Sequence, residues 1–340
     1  MTQVLKPSED AYKLAGELIR QGEVVGFPTE TVYGLGGDAT NAEAVDKIFA
    51  AKGRPGDNPL IVHISDLNQI YDIIEGDMPE NAKKLAQAYW PGPLTMIFPK
   101  GEKIPLRVTA NLDSVAVRFP NHPVAQKFID SSGVPIAAPS ANLSGKPSPT
   151  TAAHVFNDMN GRIPLIIDGG AAGVGLESTV LDIRSNPVRV LRPGGVTPAM
   201  IAEVLGEVEV DGSVLRPLKQ GEVVRSPGMK YKHYAPDGSL VIVKGESTSV
   251  AAKINEMYDS TDGTKCILAL EANKALYGDR YARSLGKDSE EFAHNLFDLL
   301  REMDDLKINA IFSEAVEAEG IGLAVMNRLG RAAAFHIIEV

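Results

Sequence analysis

Apolar positions along the chain follow two periods, and the switches between them mark out the elements. Ser8 precedes a 3.6-residue pattern at Ala11, Leu14, Ala15, Leu18 and Ile19 that Gly22 ends, which predicts a capped helix. An apolar run over Glu23–Phe27 predicts a strand. Thr40 and Glu43 have capping-box spacing and predict a helix through Phe49. Short apolar or alternating runs predict strands at Leu60–Ile64, Pro93–Phe98, Ser114–Phe119, Pro135–Ala138, Pro164–Asp168, Ser178–Ile183 and Val188–Leu191. Helices are predicted over Pro79–Tyr89 and Thr150–Asn157. Another runs from the Thr197 cap and Pro198 to Leu205. Strands and helices mixed without strict alternation predict an α/β domain on a twisted mixed sheet.

Residues 207–237 lose the period and carry Pro217, Pro227, Gly228 and Pro236, so they read as a linker. A second α/β pattern follows. Strands are predicted at Ser239–Val243, Lys265–Leu270 and Asn309–Ser313, and helices at Asp288–Leu306 and Gly322–Ala333. The expected division is a catalytic domain over 1–206, a linker over 207–237 and a smaller α/β domain over 238–340.

Composition narrows the function classes. The 340 residues carry a net charge of −10, which argues against broad, sequence-blind nucleic-acid binding. The linker runs against that trend: residues 211–236 hold five Lys/Arg and two Asp/Glu. That local excess fits either an anionic ligand or a solvated tether. The lone Cys266 excludes an internal disulfide and a Cys-based zinc site, and places the chain in a reducing compartment. Residues 1–25 lack a basic stretch followed by an apolar one, and no apolar run is long enough to span a bilayer. The expected location is cytoplasmic.

Several segments carry candidate chemistry. Gly34, Gly36 and Ala39 match a dinucleotide-binding spacing, but no strand directly precedes Gly34, and an arginine, Arg54, stands where an acidic residue belongs. A tight turn explains the glycines, though not the polar cluster Thr29, Glu30, Thr31 and Tyr33. Lys52 and Arg54 flank Gly53 at a helix C-terminus, with Asn58 close by. They either complement the helix dipole or clamp phosphate. His63 lies in an apolar strand, as a satisfied core residue or a ligand contact. Arg118 also sits in an apolar strand, where a buried charge demands a carboxylate or a ligand. The segment with Ser140, Asn142, Ser144, Lys146 and Ser148 lacks the Walker spacing. Its hydroxyls and backbone N–H groups still suit phosphate oxygens. Ser178, Thr179 and Arg192 follow. Tyr231, His233 and Tyr234 stand between Lys230 and Pro236, in a stretch suited to closing over an anionic substrate.

In this order and at these separations, the segment Pro28–Leu35, the triplets Lys52-Gly53-Arg54 and Ser140-Ala141-Asn142, and the linker Ser226–Pro236 resemble the YrdC-like family. More closely, they resemble the L-threonylcarbamoyladenylate synthases in their longer, two-domain form. The resemblance implies a YrdC-like first domain, a Rossmann-like second domain and a linker lying over the cleft. It implies that L-threonine, bicarbonate and ATP give threonylcarbamoyl-AMP and pyrophosphate. The product would feed a separate tRNA threonylcarbamoyl transferase acting at position 37. Thr31, His63, Arg118, Ala138 and Ser178 would hold threonine. Lys52, Arg54, Asn58, Ser114, Ser140, Asn142, Ser148 and Arg192 would hold ATP, Lys52 and Arg54 acting on the transferring phosphate. Tyr231, His233 and Tyr234 would form the lid. No protein-held metal is expected, Mg²⁺ arriving with ATP. The competing class is an RNA-binding module without catalysis, recognising duplex RNA by shape on a cationic sheet. A third reading, carbamoyl-phosphate handling in metallocentre assembly, uses a related domain but usually with zinc-finger and acylphosphatase parts that this chain lacks.

Overall fold

Strand alternation decides which side chains this protein buries and which it turns toward a cleft. The computed structural model describes residues 1–216 and 234–340. Among these, eleven strands form one mixed sheet. Its spatial order is Gln3–Leu5, Leu165–Ile167, Val25–Phe27, Gly34–Asp38, Ile136–Ala138, Ile61–His63, Ser114–Arg118, Leu94–Pro99, Thr179–Asp182, Val188–Arg192 and Val208–Val210. In its central strands, Val62, Val117, Met96 and Leu35 face the main hydrophobic core. There they meet Val45, Ile48 and Phe49 of helix Ala42–Lys52 and Leu85 of helix Glu80–Tyr89. The alternate positions must face the other way. The register pairs His63 with Arg118 and Arg118 with Thr95 in one row across three strands. The next row, Ile61, Ala116 and Ile97, joins Val180 and Leu191 in a small apolar floor.

The second domain is a five-stranded, all-parallel sheet. Its spatial order is Ala282–Gly286, Lys265–Leu270, Ala310–Glu314, Ser239–Lys244 and Ile337–Glu339. By chain order this is third, second, fourth, first, fifth, so the first and fourth strands exchange places relative to the doubly wound dinucleotide-binding order. Its core reaches across the domain boundary, taking in Val32, Leu176 and Tyr234. Among the described residues, no helix is long and apolar enough to cross a membrane.

The structure corrects several local expectations. Ser8 and Thr197 cap their helices as read, but Asn41, not Thr40, caps helix Ala42–Lys52, because the Thr40 hydroxyl bonds Asp38 instead. Gly34–Asp38 is a strand rather than a turn. A Cβ on Gly34 or Gly36 would come within 2.8 or 2.9 Å of the Phe27 ring, so these glycines admit a neighbouring side chain. Residues 208–210, assigned to the linker by sequence, pair in parallel with Val188–Val190 and extend the first sheet. Helices Pro123–Ser132 and Ser247–Ser260 were not anticipated.

Candidate active site

A cleft opens over the row formed by His63 and Arg118. Lys52, Arg54, Arg118 and Arg192 line it, and Glu177 is the one carboxylate among the described lining residues. Thr31, His63, Ala138, Ser140, Asn142, Ser178 and Tyr234 share the wall.

At one end a hydroxyl chain orients the arginine. Val32 O accepts from Thr29 Oγ1 at 2.6 Å, so Thr29 Oγ1 accepts from Thr31 at 2.8 Å, and Thr31 Oγ1 accepts from Arg118 Nη1 at 2.9 Å. The Glu30 carboxylate lies 2.8 Å from Arg118 Nη2, an ion pair without the alignment of a hydrogen bond. The carboxylate foreseen for Arg118 is therefore present, yet its contact is geometrically poor. His63 Nδ1 lies 3.2 Å from Ile61 O, which seats the proton on Nδ1 and leaves Nε2 as an acceptor. Burial, reinforced by the Arg118 charge, pushes the imidazole pKa down to about 3. Ser178 Oγ meets Thr95 Oγ1 at 2.8 Å, and Arg192 donates to Ser178 O and Oγ at 3.0 and 3.1 Å. Burial and then the Arg328 charge lower Arg192 to about 10, so it remains a cation at neutral pH.

At the other end, Gly53 ends helix Ala42–Lys52 in the left-handed region (φ 61°), turning the chain so that Lys52 and Arg54 both reach the cleft. Lys52 Nζ is buried and donates to Ser140 O at 2.5 Å, Asn142 O at 2.6 Å and Asn142 Oδ1 at 3.2 Å. Burial, then the neighbouring Arg54 charge, holds its pKa well below the usual lysine value. Lys52 thus acts on the 140–142 loop directly. Arg54 Nη2 donates to Asn58 O at 3.3 Å.

Three predicted residues do not line the cleft. The Asn58 amide is fully buried, and neither its nitrogen nor its oxygen has a hydrogen-bond partner. Ser148 is fully buried and donates to Glu177 Oε1 at 2.5 Å. Ser114 is buried two rows along its strand from Arg118. Tyr234 reaches the wall with its backbone in the left-handed region (φ 63°) and its ring 5.0 Å from that of Phe297. Tyr231 and His233 lie outside the described residues.

Residues 17–194 match the Sua5, YciO and YrdC domain family, described as "Telomere recombination", and residues 196–334 match the threonylcarbamoyl-AMP synthase C-terminal domain. The chain belongs to the threonylcarbamoyl-AMP synthase family. It is 47% identical to the threonylcarbamoyl-AMP synthase of Bacillus subtilis, over 100% of this chain and 97% of that protein. It is 46% identical to that of Pyrococcus abyssi, over 96% of this chain and 95% of that one. Sua5 of P. abyssi, solved in complex with L-threonine, superposes with a TM-score of 0.93 at 43% identity, covering 100% of this chain and 99% of that one.

Within this family fold, sequence reasoning missed Glu177 and Arg328. Glu177 faces the cleft, and Arg328 of helix Gly322–Ala332 contacts it from behind, Nε to Oε2 at 2.9 Å. Burial raises the Glu177 carboxyl, but the Arg328 and Arg192 charges and the Ser148 hydroxyl outweigh it and hold its pKa to about 2. The overlooked signal is spacing: Ala324, Arg328 and Ala332 share one helix stripe, so Arg328 occupies a core-facing position.

Proposed function

We propose that this chain is an L-threonylcarbamoyladenylate synthase, a nucleotidyltransferase that converts L-threonine, bicarbonate and ATP into threonylcarbamoyl-AMP and pyrophosphate. The observation that carries this reading is a cleft with four cations and one carboxylate already engaged by a cation behind it, in a chain of this family. Both reacting partners are anionic, and such a lining offsets their repulsion.

The threonine amine attacks the bicarbonate carbon, and loss of water gives a carbamate. A carbamate oxygen then attacks the α-phosphorus, the bond to the bridging oxygen breaks, and pyrophosphate leaves. Arg118 offers its fork to the threonine carboxylate, with Thr31, Ala138 and Ser178 shaping that end of the site. Neutral His63 presents Nε2 as an acceptor. Arg54 and Arg192 face the phosphates. Lys52 fixes the backbone of Ser140 and Asn142, whose loop lines the nucleotide end with Ser148 behind it. Asn58 brings an unpaired amide and Ser114 a hydroxyl. No step calls for a nucleophilic side chain. Among the described residues, no cluster of His, Cys, Asp and Glu could hold a metal ion. In this reading Mg²⁺ arrives with ATP, as the Mg·ATP substrate. The product passes to a tRNA threonylcarbamoyl transferase for N6-threonylcarbamoyladenosine formation at position 37. The free, buried Cys266 is in keeping with the cytoplasm as the site of reaction.

The test is pyrophosphate release from ATP with threonine and bicarbonate omitted in turn. Release should require both. Comparable release with either rigorously absent overturns the carbamate chemistry.

A further inference from the structure

Two buried arginines from the second domain cross the domain boundary, one ending on a loop of the first domain and the other on the carboxylate that holds that loop's last residue. Arg301, on helix Ser289–Asp305, donates from Nη2 to Pro147 O at 2.6 Å and to Asp158 Oδ2 at 2.8 Å. Asp158 Oδ2 also accepts from Leu143 N at 3.1 Å, so the Arg301–Asp158 pair reaches both ends of residues 143–147. Arg328, fully buried on helix Gly322–Ala332, donates to Glu177 Oε2 at 2.9 Å, to Glu177 O at 3.2 Å and to Pro193 O at 2.8 Å. Glu177 Oε1 in turn accepts from Ser148, the last residue of the loop.

From the first domain, Lys52 holds the other end through Ser140 O and Asn142 O, and Ser144 N donates to Lys52 O at 3.0 Å. Ala235 N, where the chain enters the second domain, donates to Gly145 O at 3.1 Å. Ala141 and Leu143 anchor the start of this loop to the main core, whereas Ser144, Gly145 and Lys146 bring no apolar side chain to fix the rest. Here its backbone carbonyls and one hydroxyl are pinned from both sides.

We infer that the second domain is part of the nucleotide site: Arg301 and Arg328 are positioning residues that hold the Ser140–Ser148 loop and Glu177 in place for ATP. This rests on the assignment of that loop to ATP proposed above. Two considerations favour it over simple domain adhesion. A hydrophobic contact joins domains at least as well as a buried ion pair, which carries a desolvation cost. The arginine fork, by contrast, fixes direction as well as distance, because its planar donors meet carbonyl and carboxylate acceptors together. The two arginines act on different walls. Arg301 reaches the loop directly and through Asp158, whereas Arg328 reaches it only through Glu177, which adjoins Ser178. Disturbing Arg301 should therefore touch ATP alone, and disturbing Arg328 both substrates.

The experiment uses the full chain. The paired exchange Arg301→Met with Asp158→Asn removes both charges together, so that no lone buried charge remains. Arg301→Lys and Arg328→Lys are companions that keep the charge and lose the fork. His294→Ala serves as the adhesion control, since His294 Nδ1 crosses the boundary to Gly173 O at 2.9 Å without touching the loop. Readouts are the KM values for ATP and threonine, kcat, binding of a non-hydrolysable ATP analogue by calorimetry, and amide exchange of residues 140–148. The Arg301 variants should raise the ATP KM and weaken analogue binding about tenfold, with the threonine KM little changed and exchange of the loop faster. Arg328→Lys should raise both KM values, and His294→Ala neither. If the arginine variants lose melting temperature as His294→Ala does, yet keep wild-type analogue affinity and loop exchange, the arginines are adhesion only and the inference falls. Analogue binding and exchange need no turnover. A wild-type protein that releases no pyrophosphate would therefore sink the proposed reaction while leaving this test standing.

Discussion

Replacing Arg118 by Lys separates a substrate-binding arginine from a structural one, and the geometry sets the expected size. Arg118 is 4% exposed and has one well-formed hydrogen bond, Nη1 to Thr31 Oγ1 at 2.9 Å. Its Nε reaches Gly92 O only at 3.4 Å, and its pair with Glu30 is close but misaligned. A lysine ammonium can keep either the Thr31 or the Glu30 contact, so the fold loses about one hydrogen bond of a charged group, ~1.5–3 kcal/mol at most. Threonine would lose more specifically. Its carboxylate meets a point charge in place of a planar fork, forfeiting one charge-assisted bond, which is roughly a 10–100-fold rise in KM. The assay is threonine dependence of pyrophosphate release at saturating ATP, beside a thermal melt of the same preparation. A threonine KM that rises steeply while the protein stays folded supports the substrate role. A depressed melting temperature with the threonine KM within threefold of wild type refutes it. Arg118 would then serve only Glu30 and Thr31.

Three further outcomes follow from the same site. Arg54→Ala should lower kcat about 10²–10³-fold, the usual cost of removing one contact to developing charge; an unchanged kcat in steady-state assays would reduce Arg54 to a charge beside a helix C-terminus. Asn58→Leu should raise the ATP KM without lowering the melting temperature, because it removes two buried polar atoms that have no hydrogen bonds to lose; a fall in stability with ATP KM unchanged contradicts that. His63, neutral in the folded protein down to about pH 3, takes up a proton on unfolding below its ordinary value of 6.5, so stability falls on acidification through that window. Between pH 7 and 5 the loss is about 2 kcal/mol by this linkage; the stability lost between those pH values, read from denaturant titrations, should be larger in wild type than in His63→Gln by that amount, and equal losses rule it out.

How much was legible in the chain differs from element to element. Ser8 and the Thr197–Pro198 pair announced their helices because capping is settled within four residues. The alternation of Ile61-Val62-His63 and Ala116-Val117-Arg118 fixed which side chains leave the core, since a period of two leaves no other arrangement once the valines are buried. The cationic triplet at a helix end, the lone arginine in an apolar strand and the order of the segments located the site and its family.

Partners distant in sequence were not legible. Lys52 looked like a free phosphate ligand, yet its ammonium is taken by carbonyls 88 and 90 residues away. Glu177 drew no notice in the sequence, because the arginine that engages it lies 151 residues away. Gly34–Asp38 looked like a turn because its glycines are conformationally permissive, and only the Phe27 ring beside them shows why they stand in a strand. Local sequence sets propensity, period and charge, and so determined the elements, their buried faces and the chemistry available. Which donor meets which acceptor depends on tertiary topology: strand order within the first sheet brings Lys52 to its carbonyls, and packing of the second domain brings Arg328 to Glu177.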